Sequence, residues 1–233
     1  MSLYVFNFGS FDSPISLATS GAYLHNKDLH SNKYSFSCII LHGVSPGWYT
    51  LSMITFITGN KGKFKEIQSV LGDTIIMRDI DLPEIQSLDF KEVIAAKLQE
   101  ASKHITTGAI MVEDSGYYFK ELGRLPGVFS KFFLEELGLD GVYNLVKNFS
   151  STKATFNTHI GYMDEKGVVT YFVASLDGEI VSPNGDGGFG YDPLFIPEGY
   201  TKRFAEISDK ERNELKPRIQ AAKVLKEYLL QTS

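Results

Sequence analysis

The sequence predicts an α/β fold built on a mixed β-sheet. Early in the chain, short runs of β-branched and aromatic residues alternate with segments whose apolar residues recur every three to four positions. This alternation is typical of strands followed by helices. Later, two long strand-like segments, 154–163 and 168–174, flank the turn 164–167, which ends in glycine. Such a pattern indicates an antiparallel hairpin, so the sheet should contain both strand directions.

The first elements follow from local signals. A β-branched and aromatic run at 54–58 predicts a strand, which the turn Gly59-Asn60 ends. The next segment has helical spacing up to Gly72, where glycine favours a C-terminal cap. A short strand is expected at 75–77. Asp89 then has the position and chemistry of an N-cap for a helix that reaches about residue 104.

The remaining elements are predicted in the same way. A buried strand at 109–112 runs directly into an acidic pair, and a helix is expected at 126–137, where Gly138 would stop it. Asp140 has the chemistry of a cap for a further helix to about residue 149. After the hairpin, 179–181 continues the sheet and 184–190 forms a glycine-rich loop. The C-terminal part is helical from about residue 208 and is interrupted at Pro217.

Residues 1–52 differ from the rest of the chain. They show no sustained period of either strand or helix and contain four charged residues, namely Asp12, Lys27, Asp28 and Lys33. We therefore expect 1–52 to be an N-terminal extension outside the catalytic core, with one domain at 53–233. An ordered extra strand that packs on the core is the alternative.

The composition excludes several classes of protein. A hydrophobic fraction of 43% and a charged fraction of 22% are ordinary for a globular protein. The net charge of −5, with no cluster of basic residues, argues against nucleic acid as a partner. Cys38 is the only cysteine, which excludes an internal disulfide and a thiolate zinc cluster. With no apolar run long enough for a membrane span and no signal peptide, we expect a cytoplasmic protein.

The turn Thr58-Gly59-Asn60-Lys61-Gly62-Lys63 joins a predicted strand to a predicted helix. Free backbone N–H groups and the positive end of the helix make such a turn a candidate phosphate site, and Lys63 adds charge. The segment lacks the Walker pattern. An ordinary strand–helix connection is an equally good interpretation of this turn alone.

Two groups of acidic residues are candidates for metal binding or acid–base chemistry. Asp79, Asp81 and Glu84 lie in a loop after a strand, where Mg²⁺ binding and simple solvation are both possible. Glu113 and Asp114 follow a buried apolar strand, and packing explains two acids there poorly. A carboxylate at the carboxyl edge of a sheet suits a metal ligand or a general base.

Two further features concern ligand contacts. Lys97 shares one helical face with apolar residues, so its side chain either extends past them to solvent or directs its amine into a polyphosphate cleft. Phe189 and Tyr191 lie beside Asp192 in the glycine-rich region. This aromatic pair is suited to stacking against a base whose edge the acid would bind, although core packing explains both rings equally well.

Six motifs together resemble the inosine triphosphate pyrophosphatase family. They are T-G-N-K-G-K (58–63), D-L-P-E-I-Q (81–86), V-E-D-S-G (112–116), L-P-G-V-F-S-K-F-F (125–133), G-F-G-Y-D-P-L-F-I-P (188–197) and F-A-E-I (204–207). The resemblance covers about residues 54–230. Each motif is ambiguous alone, but their presence in this order is highly specific.

The resemblance implies an elongated, two-lobed α/β fold with a long mixed sheet and a cleft between the lobes, and it implies a homodimer. The implied reaction is Mg²⁺-dependent hydrolysis of ITP, dITP and XTP to the monophosphate and pyrophosphate, which cleanses the nucleotide pool. A pyrophosphatase of the Maf type, with a different base preference, and a non-catalytic nucleotide-binding homologue are the alternatives. The G-F-G-Y-D-P segment argues against the first, and the intact acids argue against the second.

The resemblance also implies roles for individual residues. Glu84 and Asp114 would hold the metal, and Asp114, helped by Glu113, would take the proton of the attacking water. Lys63, Lys97 and Arg212 would neutralise the triphosphate, and the turn of Thr58, Gly59 and Asn60 would contact its phosphates. The base would be bound by Phe189, Tyr191, Asp192 and Arg218. One departure concerns the base: the family carries Ser-His-Arg where this chain has Lys216-Pro217-Arg218.

Overall fold

The computed structural model describes residues 53–232 and the backbone of residues 3–5. Within this part of the chain, eight strands form one mixed sheet, with five α-helices. The strands are β1 (Leu3–Val5), β2 (Ile54–Ile57), β3 (Ile75–Arg78), β4 (Ala109–Phe119), β5 (Pro126–Gly127), β6 (Lys153–Met163), β7 (Val169–Ile180) and β8 (Phe195–Pro197). The helices are α1 (Lys61–Leu71), α2 (Phe90–His104), α3 (Ser130–Val146), α4 (Asp209–Leu215) and α5 (Pro217–Thr232). The predicted α/β fold class is confirmed.

The sheet has the order β1-β7-β6-β4-β2-β3, with β5 on β4 and β8 on β7. Strand β2 is parallel to β3 and β4, whereas β4, β6 and β7 are antiparallel to one another. β1 pairs in parallel with β7, opposite residues 171–173. The rest of 1–52, including Cys38, lies outside the described residues.

Several local predictions are confirmed. Gly72 caps α1 with a φ of 67°, a conformation that glycine adopts without steric cost. The Asp89 side chain accepts a hydrogen bond from the N–H of Lys91 at the start of α2. Pro217 is the first residue of α5, the helical position where its missing N–H costs nothing.

Other boundaries differ from the predictions. The predicted helix start at Pro126 was wrong: residues 126–127 form β5 against β4, and α3 begins at Ser130. Gly138 does interrupt the helical conformation, with a φ of 65° and a ψ of 178°, but α3 ends at Val146. The strand predicted at 109–112 continues to Phe119, because β6 pairs with it as far as Phe119 and β5 pairs with residues 117–118.

The core divides into two parts along the long strands. Around the first half of β4, one apolar cluster packs α1 and α5 on one face, and another packs α2 on the opposite face. A third, aromatic cluster surrounds the second half of β4, where Tyr117 and Phe119 contact the loop before β8. The polar residues 113–115 lie between these parts and belong to none of the apolar clusters. We call this polar region of the core, around residues 113–115, the gap.

No helix in the described part of the chain is both long and apolar enough to cross a bilayer.

Candidate active site

The central strand β4 separates two groups of charged side chains. Successive residues of a strand point to opposite faces of the sheet. Glu113 and Ser115 contact side chains from α1 and α5, while Asp114 contacts α2 on the other face. The acidic pair that is adjacent in sequence is therefore divided in space, and Glu113 does not share a pocket with Asp114.

On the α2 face, Lys97 joins two carboxylates. Its Nζ lies 2.8 Å from Glu84 Oε1 and 2.8 Å from Asp114 Oδ2. Glu84 comes from the loop between β3 and α2, and its side chain is 56% exposed, whereas those of Lys97 and Asp114 are 12% and 13% exposed. The acids of two separate sequence motifs thus meet at one cation at the edge of the gap.

The pairing fixes the charges of this group. Burial lowers the pKa of Lys97, but the neighbouring Asp114 and Glu84 carboxylates raise it by a larger amount. The net pKa therefore lies above its usual value. Partial burial raises the pKa of Glu84, and the Lys97 ammonium outweighs this effect and lowers it. Lys97 is therefore a permanent cation and Glu84 a carboxylate at neutral pH.

The donor set is suited to a hard divalent cation. Among residues 53–232 no three His, Cys, Asp or Glu side chains converge in a way that could hold a metal. Mg²⁺ bound to phosphates takes one or two carboxylates and completes its shell with waters and substrate oxygens. Glu84 and Asp114 provide two carboxylates that already share one positive charge, so they fit such an ion.

On the α1 and α5 face, Glu113 is fully buried and surrounded by cations. Its Oε1 accepts a hydrogen bond of 3.0 Å from Arg218 Nε and another from the Ser115 hydroxyl. Lys63 Nζ lies 2.8 Å from Oε2, in an ion pair without hydrogen-bond geometry. Burial raises the pKa of Glu113, but Arg218 and Lys63 lower it to about 2. Its cationic partners therefore hold this acid ionised.

The same network extends to two residues that the sequence did not single out as contacts. Glu66 of α1 accepts hydrogen bonds from Arg218 Nη1 and from Lys216 Nζ, the latter at 2.8 Å. Lys216 Nζ is also 2.8 Å from Asp192 Oδ2, and its side chain is 2% exposed. Glu66 lies three residues after Lys63 on α1, and this spacing is the sequence signal that could have indicated it.

The predicted phosphate turn forms the start of α1. Asn60 Oδ1 accepts hydrogen bonds from the N–H groups of Gly62, at 2.9 Å, and Lys63, at 3.0 Å. Thr58 Oγ1 accepts one from the N–H of Asn60. The side chain of Asn60 therefore satisfies two of the orphan donors of the helix. Gly59 lies against Asp79: a β-carbon there would be 2.8 Å from Asp79 Oδ1.

The two aromatic residues of the glycine-rich region have different environments. Tyr191 is buried, stacks on Tyr117 with ring centroids 4.6 Å apart, and donates its hydroxyl to the carbonyl of Ser130. Phe189 is 37% exposed and lies against Gly62 at the start of α1. Stacking against a base is thus open to Phe189, whereas Tyr191 has the contacts of a core residue.

Three predicted residues near this loop already have partners. Asp192 is 3% exposed and accepts from the N–H of Phe189 as well as from Lys216. Arg218, also 3% exposed, is bound to the acids on its face of the sheet. Arg212 donates to the carbonyls of Phe204 and Ile207 and pairs with Asp209. The structure thus joins Asp192 and Arg218 in one network, while the guanidinium of Arg212 binds its own segment of chain.

The arrangement can perform a defined chemistry. Cations from both faces, Lys63 and Lys97, flank the gap beside the start of a helix, and a carboxylate, Asp114, lies between the core clusters. Such a site suits a polyanion whose charge must be neutralised while a carboxylate takes a proton. An exposed aromatic ring at the end of the buried network offers a platform for a planar group.

Comparisons with known proteins point to one family. The model of the Ham1 family matches residues 54–228. The inosine triphosphate pyrophosphatase of Schizosaccharomyces pombe is 38% identical over 182 residues, which cover 77% of this chain and 96% of that protein. Inosine triphosphate pyrophosphatase 1 of Trypanosoma cruzi is 37% identical, over 75% and 91% of the two chains. The structure of a HAM1 protein from Coxiella burnetii superposes with a TM-score of 0.66 at 25% identity, over 78% of this chain and all of that one.

Proposed function

The chain belongs to the Ham1 family, and we propose that it hydrolyses the triphosphates of non-standard purines. The substrates are ITP, dITP and XTP, and the products are the nucleoside monophosphate and pyrophosphate. Relatives that carry the name inosine triphosphate pyrophosphatase match nearly their whole length. The role that follows is removal of damaged purine nucleotides from the nucleotide pool.

The observation that carries this proposal is the Lys97 bridge between Glu84 and Asp114. It keeps a charged carboxylate at the edge of the gap, next to a permanent cation. In the proposed mechanism Asp114 takes the proton of the water that attacks the α-phosphorus. The P–O bond to the β-phosphate breaks, and the pyrophosphate leaves with its negative charge stabilised by the lysines.

The triphosphate needs several positive groups. Lys63 reaches the gap from α1 and Lys97 from α2, so the chain offers an ammonium on each face. The start of α1 adds the partial positive charge of a helix N-terminus. We propose Thr58, Gly59 and Asn60 as the turn that follows the phosphates. Arg212 remains part of this proposal only if its guanidinium leaves the carbonyls that it binds.

We propose Mg²⁺ as the cofactor, with Glu84 and Asp114 as its protein ligands. When bound, the ion neutralises phosphate oxygens and polarises the phosphorus centre towards attack. Lys97 orients both carboxylates, and Asp114 Oδ1 is held by the N–H of Ser115 at 2.9 Å. Removal of divalent ions with EDTA should abolish turnover, and added Mg²⁺ should restore it.

The base is proposed to bind beside Phe189, which has the exposed ring of the loop. Asp192 and Arg218 lie near it, and Tyr191 supports the loop from the core. A Maf-type enzyme would prefer other bases, and a non-catalytic homologue would bind without turnover. The family match favours neither alternative.

A hydrolysis panel tests the proposal. ITP, XTP, dITP, GTP, ATP and dTTP are each incubated with the protein and Mg²⁺, and pyrophosphate release is measured. We expect ITP, dITP and XTP to give the highest kcat/KM. Preference for dTTP would identify Maf-type activity, and binding without pyrophosphate release from any nucleotide would identify a non-catalytic protein.

We further propose that residues 53–233 are the catalytic domain, that 1–52 are an extension, and that the protein is a cytoplasmic homodimer. The family model begins at residue 54, in support of this boundary. A chain that begins at Met53 should hydrolyse ITP with a kcat/KM within about threefold of the full chain. An insoluble or inactive shortened chain would show that 1–52 belong to the fold. Sedimentation analysis at micromolar concentration tests the dimer, and fluorescence microscopy of the tagged protein tests the location.

A further inference from the structure

The ammonium of Lys216 lies buried beneath the exposed ring of Phe189, in the glycine-rich loop where the base is proposed to bind. Lys216 Nζ is 4.6 Å from the centroid of the Phe189 ring, closer than Arg218 Cζ at 5.7 Å. Its side chain is only 2% exposed. Lys216 stands where the family carries serine, so this cation distinguishes the chain from the pattern that it otherwise resembles.

Two carboxylates fix the position of this ammonium. Glu66 Oε1 and Asp192 Oδ2 each accept a hydrogen bond from Lys216 Nζ at 2.8 Å. Asp192 Oδ2 also accepts from the N–H of Phe189, so the cation and the ring are tied to the same oxygen. An ammonium has three N–H donors and no acceptor. Two of the donors are used by these acids, and the ring face provides only a weak cation–π contact for the third.

We propose that Lys216 is a specificity-determining residue of the base site. Its third N–H donates to an acceptor on the purine, the 6-oxo oxygen of inosine or xanthine, when the base lies beside the Phe189 ring and this oxygen replaces the ring face as the partner of the N–H. A charge-assisted hydrogen bond is stronger than a contact with an aromatic face. The 6-amino group of adenine presents N–H donors at this position, and a donor facing an ammonium is repelled. This inference rests on the proposed function and names a residue that reads its substrate.

The surrounding charges support a fixed donor. Lys63, Arg218 and Lys216 alternate with Glu113, Glu66 and Asp192, so three cations balance three anions along the network. A base oxygen that approaches Lys216 adds a dipole and no net charge. The ammonium therefore keeps both carboxylate partners while it binds the base. A flexible surface lysine would lack this fixed orientation.

The test is a cycle that changes the residue and the base atom together. The four values of kcat/KM are those of the full-length protein and Lys216→Met with ITP and with purine riboside triphosphate, which lacks the 6-oxo group. In the unmodified protein, loss of the 6-oxo group should lower kcat/KM by about 10- to 100-fold, the range of a hydrogen bond to a charged group. In Lys216→Met the same loss should cost less than about threefold, because the partner of the oxygen is absent.

Control variants separate recognition from support of the fold. Lys223→Met removes an exposed lysine of the same helix and should leave all four values unchanged. Lys216→Arg keeps the charge and should retain part of the 6-oxo preference. If Lys216→Met does not fold, Lys216→Arg takes its place in the cycle. A purely structural role for Lys216 would lower the values for both nucleotides equally. If loss of the 6-oxo group lowers kcat/KM by the same factor with and without Lys216, the inference is overturned.

A binding measurement distinguishes this inference from the proposed function. Calorimetric titration with IMP and AMP needs no turnover, and Lys216→Met should lower the ratio of their affinities by about tenfold or more. If the unmodified protein releases no pyrophosphate but this ratio still falls, the proposed function is wrong and the role of Lys216 stands. If ITP is hydrolysed and the affinity ratio does not change, Lys216 does not read the base.

Discussion

The two faces of β4 use similar residues for different purposes. On the α2 face, Lys97 holds Asp114 and the largely exposed Glu84 at the edge of the gap. On the other face, Glu113 is fully buried between Lys63 and Arg218. Adjacent acids of one strand thus differ in access to solvent and substrate. An accessible carboxylate with one cation therefore suits chemistry, whereas a buried carboxylate between two cations fixes geometry.

The largest expected effect is on activity, from the accessible face. Asp114→Asn should lower kcat for ITP by about 10²–10⁴-fold, because an amide cannot take the proton of the attacking water. Its free energy of unfolding should change by less than about 1 kcal/mol, since Lys97 keeps Glu84 as a partner. Steady-state kinetics and urea unfolding measure the two quantities. Asp73→Asn, an exposed aspartate outside the site, is the control, and full activity of Asp114→Asn would refute the mechanism.

The buried face should show the opposite balance. Glu113→Gln removes the charge between Lys63 and Arg218 and leaves two cations without their shared anion. Breaking a buried ion pair in this way should lower the free energy of unfolding by about 3 kcal/mol, to be measured by urea titration at pH 7. A fall in kcat as large as that of Asp114→Asn, with stability unchanged, would erase the distinction between the faces.

Acid should reduce this difference in stability. The pKa of folded Glu113 is about 2, below the unfolded value of 4.5. Its stabilising contribution is therefore complete above pH 4.5 and is lost as the pH falls through about 2. The difference in the free energy of unfolding between the unmodified protein and Glu113→Gln should therefore decrease over this window. A difference in the free energy of unfolding that stays constant from pH 6 to pH 2.5 would show that the charge of Glu113 does not stabilise the fold.

The sequence predicted the parts of this arrangement that depend on local signals. The caps at Gly72 and Asp89 and the helix start at Pro217 follow from backbone chemistry, and the structure confirms them. The full length of β4 could not be predicted, because its polar stretch is held by pairing with β6, which is distant in sequence. The separation of Glu113 from Asp114 depends on that same pairing.

The ionic network was also beyond local reasoning. The family pattern alone favours Lys216→Ser together with Pro217→His as a route to stronger base discrimination, since this exchange restores the family residues. The structure buries Lys216 between Glu66 and Asp192, which lie 150 and 24 residues away in sequence. Serine cannot neutralise both acids, so we expect the exchange to weaken the site. Contacts over such separations follow from the fold and have no local pattern.

On the α2 face, a histidine lies beside the aspartate that is proposed as the general base. His159 is the cross-strand neighbour of Asp114 and stacks on Phe90 of α2, with ring centroids 4.5 Å apart. Burial lowers the pKa of His159 to about 4, so its imidazole is neutral at pH 7. We infer that it packs the start of α2 against the sheet and takes no part in proton transfer.

His159→Phe tests this role, because phenylalanine keeps the stacking and removes the titration. Between pH 6.5 and about 4 the unfolded chain binds a proton at His159 that the folded chain does not, so stability is lost as the pH falls through this window. The unmodified protein should therefore lose on the order of 2 kcal/mol more than His159→Phe over that range, as measured by urea unfolding. At pH 7.5, kcat for ITP should agree within about threefold between the two proteins. A large loss of kcat in His159→Phe would show that the α2 face needs a second proton-transferring group, and that Asp114 does not act there as the only base.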